Sequence, residues 1–105
     1  MILYSVTVKI EAGSEADWVD WMKQVHIPEV IQTGCFKDCR MWKVREPERD
    51  EPSYVMQYRC RSIDDYHRYC EQFAATLQKD HSARFGGRFT ASRQILEEVA
   101  QFQPR

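Results

Sequence analysis

Residues 25–36 read Val25-His26-Ile27-Pro28-Glu29-Val30-Ile31-Gln32-Thr33-Gly34-Cys35-Phe36. How this stretch is read decides where the first helix ends and the second strand begins. Upstream, Trp18, Trp21, Met22 and Val25 recur at helical spacing, with Ser14 as the expected N-cap and Glu15 and Asp17 in the first turn. Pro28 disfavours αR geometry at Ile27, so the spacing predicts a break or kink there. Pro28 also suits the first position of a new short turn over 28–33, and Gly34 is the natural residue to end it.

Working outward, residues 2–10 alternate. Ile2, Tyr4, Val6, Val8 and Ile10 share one face, while Ser5, Thr7 and Lys9 share the other, the pattern of a half-buried strand. A second strand is expected over 35–46, with Phe36 and Trp42 on one face and Met41 on the other. A charged hairpin loop, Arg45 to Pro52, follows, and Tyr54, Met56, Tyr58 and Cys60 mark a third strand. Ser62 and Asp65 form a capping-box variant that opens a second helix. Its apolar stripe is Tyr66, Tyr69, Cys70, Phe73 and Leu77, and His81 to Phe85 extends it by a turn before Gly86-Gly87. Phe89 to Leu96 is the fourth strand, with Phe89 and Ile95 facing opposite to Leu96, and 99–105 is expected to be a loose tail.

The order β-α-β-β-α-β over residues 1–98 defines an α+β, ferredoxin-like domain: a four-stranded antiparallel sheet with two helices on one face. Strands two and four carry apolar groups on both faces. The face without helices therefore calls for a cover, most simply the sheet of a second copy.

The composition narrows the function classes. Fifteen Lys and Arg against 16 Asp and Glu leave no basic excess, which argues against a nucleic-acid binder or a polybasic membrane anchor. No apolar run approaches the ~20 residues of a membrane span, and the first residues lack the basic start of a signal peptide, so a cytoplasmic setting is expected. Cys35, Cys39, Cys60 and Cys70 form no CxxC and read as reduced thiols. Cys35 and Cys39, four apart along a strand, would stand about 13 Å from one another.

His26 is the first candidate site residue. With an ordinary pKa near 6.5 it suits a general base, and the competing reading is that it caps a helix broken at Pro28. His81 and Arg84, three apart, suit a carboxylate or phosphate, or simply a helix C-terminus stabilised by cations. This topology is expected to hold His26 and His81 near opposite ends of the domain. Tyr4, Trp21, Tyr58, Trp42 and Arg40 are the further candidates for lining a cavity between sheet and helices, against the plainer reading of an aromatic core. His67 and Glu71 stand at chelating spacing but offer only two ligands, so no metal and no cofactor are expected. The third strand lacks the basic-glycine motif of an RNA-recognition module. The acidic loop after the first strand would repel the phosphate of an acylphosphatase-like enzyme.

Four segments, MILYSVTVKIE, DWMKQVHIPEVIQTGCF, SYVMQYRC and FAATLQKDHSARFGGRFTASRQILE, resemble a small bacterial family known as domain of unknown function 4286. The most specific parts are the His-Ile-Pro-Glu to Thr-Gly-Cys-Phe stretch and the Asp-His-x-x-Arg-Phe-Gly stretch. The family is similar to the dimeric α/β-barrel group, in which two ferredoxin-like protomers pack sheet against sheet. The resemblance implies a homodimer through the open sheet face. It also implies a cavity of the kind that holds small aromatic or polyketide-like molecules, some of them oxidised without metal or flavin. It implies no established activity. The chain has no asparagine, which counts against the haem-degrading version of that group. Two readings follow: a small-molecule-binding or interaction module, and a cofactor-independent monooxygenase or isomerase with His26 as base.

Overall fold

A computed structural model describes residues 1–47 and 50–105; Glu48 and Arg49 of the expected hairpin loop lie outside the described residues. Strand β1 (Ile2–Ile10) leads through one 3-10 turn into helix α1 (Glu15–Trp21). A π-helical turn (Met22–His26) and helix α2 (Ile27–Gln32) continue the same rod. Strands β2 (Asp38–Lys43) and β3 (Ser53–Cys60) follow, then helices α3 (Ile63–Gln72) and α4 (Ala74–Phe85), then β4 (Phe89–Glu97). The sheet is antiparallel throughout, in the order β2-β3-β1-β4, which is the ferredoxin-like arrangement.

Where a break or kink is expected at Pro28, the chain stays helical: the α-helix is interrupted just ahead of it by the π turn, and α2 starts again with Pro28 in its first turn. Ile27 is αR at φ −61°, and its N–H donates to the Met22 carbonyl five residues back. Proline has no N–H to satisfy, and the wider π turn ahead of it makes room for its ring against the preceding turn. The rod therefore runs from Glu15 to Gln32 and stops where expected, with Gly34 at φ 77° donating its N–H to the Ile31 carbonyl at 3.1 Å. Ser14 does not cap this helix with its side chain. Its Oγ instead accepts a hydrogen bond from Arg88 at 3.1 Å, tying the start of the first helix to the start of β4. Ser62 does cap the second helical segment, accepting from the Asp65 N–H at 3.3 Å.

Two elements are shorter than the periodicity predicts. β2 begins at Asp38, so Cys35 and Phe36 are buried ahead of the strand, and Phe36 stacks on the helix side against Tyr4. Phe36 and Trp42 thus do not share a face, because strand parity starts only at Asp38. The second helix is stepped at Phe73 (φ −129°) into α3 and α4, so His81 to Phe85 belongs to a 12-residue helix. Cys70, expected on the apolar stripe, is exposed.

All helices lie on one face of the sheet. The register sets Tyr4, Val6, Val8 and Ile10 of β1 across from Tyr58, Met56 and Tyr54 on β3 and from Ile95, Arg93, Ala91 and Phe89 on β4. These residues form the helix side. Their neighbours form the open side, where Trp42 is 49% exposed and Leu96 is exposed. The core fills the space under the helices with Trp18, Met22, Val30, Tyr69, Leu77 and Phe85.

Candidate functional site

The inner end of the two helical rods and the middle of the sheet do not close completely. Between them lies a cavity lined by Tyr4, Val6 and Val8 of β1, Met56 and Tyr58 of β3, and Arg93 of β4. Met22 and His26 of the π turn, Val30 of α2, Tyr69 of α3, and Gln78 and His81 of α4 complete the wall. The space inside is narrow: the centre of a water molecule can move through only about 30 Å³, and the wider hollow of about 420 Å³ includes space open to solvent.

The π turn explains why His26 is here. One extra residue in the helical turn shifts the phase of everything after it, and His26 falls on the sheet-facing side beside Met22. It does not cap the helix; its side chain makes no capping bond, and among the described residues neither ring nitrogen has a hydrogen-bond partner. Nor are the two histidines at opposite ends. The His26 and His81 rings stand 5.5 Å apart, because His26 lies mid-rod rather than at a helix end and α4 runs past that midpoint. Trp21 covers the pair from outside, its ring 5.1 Å from His26 and 5.7 Å from His81, stacked on both.

His81 is held more tightly. The residue is 5% exposed, the buried Trp18 indole Nε1–H donates to its Nε2 at 2.8 Å, and Phe89 packs edge-on at 4.1 Å. Since Nε2 accepts, a neutral His81 carries its proton on Nδ1. Both imidazoles are lowered to about 4, chiefly by burial; at His26 Asp80 partly opposes this and Arg93 adds to it, and at His81 the neighbouring His26 and Arg93 add to it. Both are therefore neutral at pH 7. Burial raises the phenols of Tyr4, Tyr58 and Tyr69, with the Arg93 guanidinium working against that rise at Tyr4. The cavity thus offers neutral imidazoles and protonated phenols beside one fixed cation.

Among the residues expected at a site, Tyr4, His26, Tyr58 and His81 come together, with Trp21 as their lid. Arg84 does not join them. It lies on the outer surface with its guanidinium 5.7 Å over Trp21, so His81 and Arg84 do not form one anion pair: His81 turns inward and Arg84 outward. Arg40 and Trp42 are on the open side of the sheet, where the Trp42 indole donates to Gln57 at 3.0 Å. The alternation of β2 places Cys39 and Met41, not Arg40 and Trp42, toward the helices. Arg93, Gln78 and Tyr69 line the cavity as well, beyond the residues expected from the sequence. Arg93 had a signal: it shares a strand face with Phe89, Ala91 and Ile95, so alternation alone puts a cation on the core side of β4. Among the described residues, no three His, Cys, Asp or Glu side chains converge as a metal site.

The sheet order, the helices on one face and the cavity beneath them define a ferredoxin-like protein of the kind found in dimeric α/β barrels. The chain belongs to the family of the domain of unknown function DUF4286, whose model matches residues 1–99. Solved structures show the same fold. A dimeric ferredoxin-like protein from an uncultured marine organism is 15% identical, with 99% of this chain and 100% of that one covered and a TM-score of 0.71. SnoaB, a cofactor-independent oxygenase from Streptomyces nogalater, is 16% identical over 98% of each chain, with a TM-score of 0.66. A putative antibiotic biosynthesis monooxygenase from Nitrosomonas europaea is 10% identical over 95% of this chain and 100% of that one, with a TM-score of 0.67. No curated protein matches the chain.

Proposed function

We propose that this protein is a cytoplasmic homodimer that binds a small organic molecule in the cavity between sheet and helices. The observation that carries this reading is the wall itself. Tyr4, Tyr58, Tyr69, His26 and His81 bring polar tips into one apolar space, and His26 has no hydrogen-bond partner among the described residues. Apolar walls with a few convergent polar groups are the usual form of a small-molecule site. The homodimer is supported by the apolar groups on the open sheet face and by neighbours described as dimeric. A thermal-shift and calorimetric panel of small planar aromatics tests the cavity. Binding that is lost on filling it with Val6→Trp supports the reading, and a panel without any binder overturns it.

One observation favours a catalytic version. A half-buried imidazole without a hydrogen-bond partner in the cavity wall is placed to accept a proton from a bound phenol or enolisable carbon, with the resulting anion stabilised by Arg93. The cofactor-independent oxygenase among the structural neighbours agrees with such chemistry. Dioxygen uptake with an anthrone, which consumes one dioxygen and yields the quinone and water, is the assay. His26→Ala is expected to lower kcat about 100-fold, within the usual contribution of a general base. Unchanged turnover in that variant would exclude His26 as the base.

A further inference from the structure

The chemical class of the ligand follows from what the cavity offers. Every lining group but one is uncharged at neutral pH, and none of the lining residues is a carboxylate. The exception is Arg93, at the mouth on the edge strand β4, which has no carboxylate within ion-pair distance among the described residues. Asp80, the nearest acid on α4 to act on His26, lines the outer groove with Trp21 and Arg84 instead. A guanidinium without a carboxylate partner at the entrance of an apolar pocket attracts an anion and matches a carboxylate with two parallel donors.

His81 adds a second donor. Trp18 occupies Nε2 from the core side, so the remaining nitrogen, Nδ1, carries the hydrogen. It has no hydrogen-bond partner among the described residues, and the ring lines the cavity. Trp18 thereby acts as a positioning residue that makes His81 a hydrogen-bond donor toward the cavity. Tyr4, Tyr58 and Tyr69 pack on one another, with centroids 5.8 Å apart across Tyr4, and together give the cavity an aromatic wall.

We infer that the cavity is an organic-anion site: a small planar carboxylate or phenolate, with its negative group on Arg93 and the Nδ1–H of His81 and its ring against the tyrosine wall. This rests on the cavity being a ligand site, and it adds the sign of the ligand and the two residues that read it.

The test is calorimetry at pH 7.5 with three ligands of one shape: benzoate, benzamide and benzylammonium. Benzoate is expected to bind at least tenfold more tightly than benzamide, and benzylammonium not at all. Arg93→Met should abolish the preference of benzoate over benzamide, and Arg93→Lys should retain most of it. Arg93 is an exposed edge-strand residue, so these variants are expected to fold. Trp18→Phe is read by long-range ¹H–¹⁵N spectra of the imidazoles. The wild type should show His81 as the Nδ1–H tautomer, and the variant should show a mixture together with weaker benzoate binding.

Equal affinity for benzoate and benzamide would overturn the inference while leaving the cavity a ligand site. A preference that survives Arg93→Met would overturn the assignment of Arg93. Failure of all three ligands to bind at millimolar concentration would overturn both the site and its charge.

Discussion

At the scale of single residues, the site turns on two imidazoles that the fold keeps neutral. Their pKa values of about 4 lie below the ordinary 6.5, so the unfolded chain binds more protons than the folded one between those limits. Stability should therefore be complete above pH 6.5 and fall as pH drops toward 4, by up to about 3 kcal/mol for each histidine. Carboxylates with lowered values, Asp38 beside Arg59 and Glu15 beside Lys43 and Tyr54, lose their contribution only at still lower pH. Urea denaturation at pH 7, 5.5 and 4.5 checks this. The wild type should weaken over that range, and His26→Phe should weaken less. A flat profile would mean that neither imidazole is kept neutral by burial. His26 stood out from the sequence by its place before a proline, whereas its surroundings did not. Its partner His81, 55 residues away, and Trp18, 63 residues from His81, meet it only through tertiary packing. Arg93 is legible by strand parity, but a charged residue on an edge strand is ordinarily a solvated one, so parity alone does not mark it as a site residue.

At the scale of elements, alternation and end signals carried the fold. β1, β3 and β4 follow their period-2 patterns, and Gly34 and Ser62 end and begin helices as their chemistry dictates. The π turn was not legible, because the pattern Trp18, Trp21, Met22 and Val25 suits an unbroken α-helix equally well. A π turn carries one residue more than the α-helix it interrupts. Deleting Gln24, an exposed member of that turn, should restore regular α geometry, rotate α2 by about 100° and turn His26 out of the cavity. Ligand binding should be lost in that variant along with several degrees of Tm; retained binding would show that the turn does not place the site. The glycines behave differently from each other. Gly34 sits at positive φ in open space, so Gly34→Ala should cost about 1 kcal/mol from backbone strain alone. At Gly86 the backbone is ordinary, yet a Cβ would meet the Ser82 carbonyl oxygen at 2.5 Å, so Gly86→Ala should cost about 2 kcal/mol as the end of α4 shifts. Chemical denaturation of both variants tests the ordering.

At the scale of the molecule, the sheet has one face under the helices and one without cover. The uncovered face presents Trp42 and Leu96 among Thr7, Val55, Gln57, Ser92 and Gln94. A second copy packed there would bury Trp42 and Arg40 in an interface rather than in a ligand pocket. Trp42→Glu should accordingly convert a dimer to a monomer at micromolar concentration by light scattering, with the protomer fold retained in circular dichroism. A wild-type monomer under the same conditions would remove the dimer from the account. The two faces then divide the work, one for self-association and one for the ligand. NMR chemical-shift mapping during a titration with benzoate tests that division most directly. The largest shifts should fall on Tyr4, His26, His81 and Arg93, with Arg40 and Trp42 unmoved. Shifts confined to Arg40 and Trp42, or none at millimolar benzoate, would contradict it.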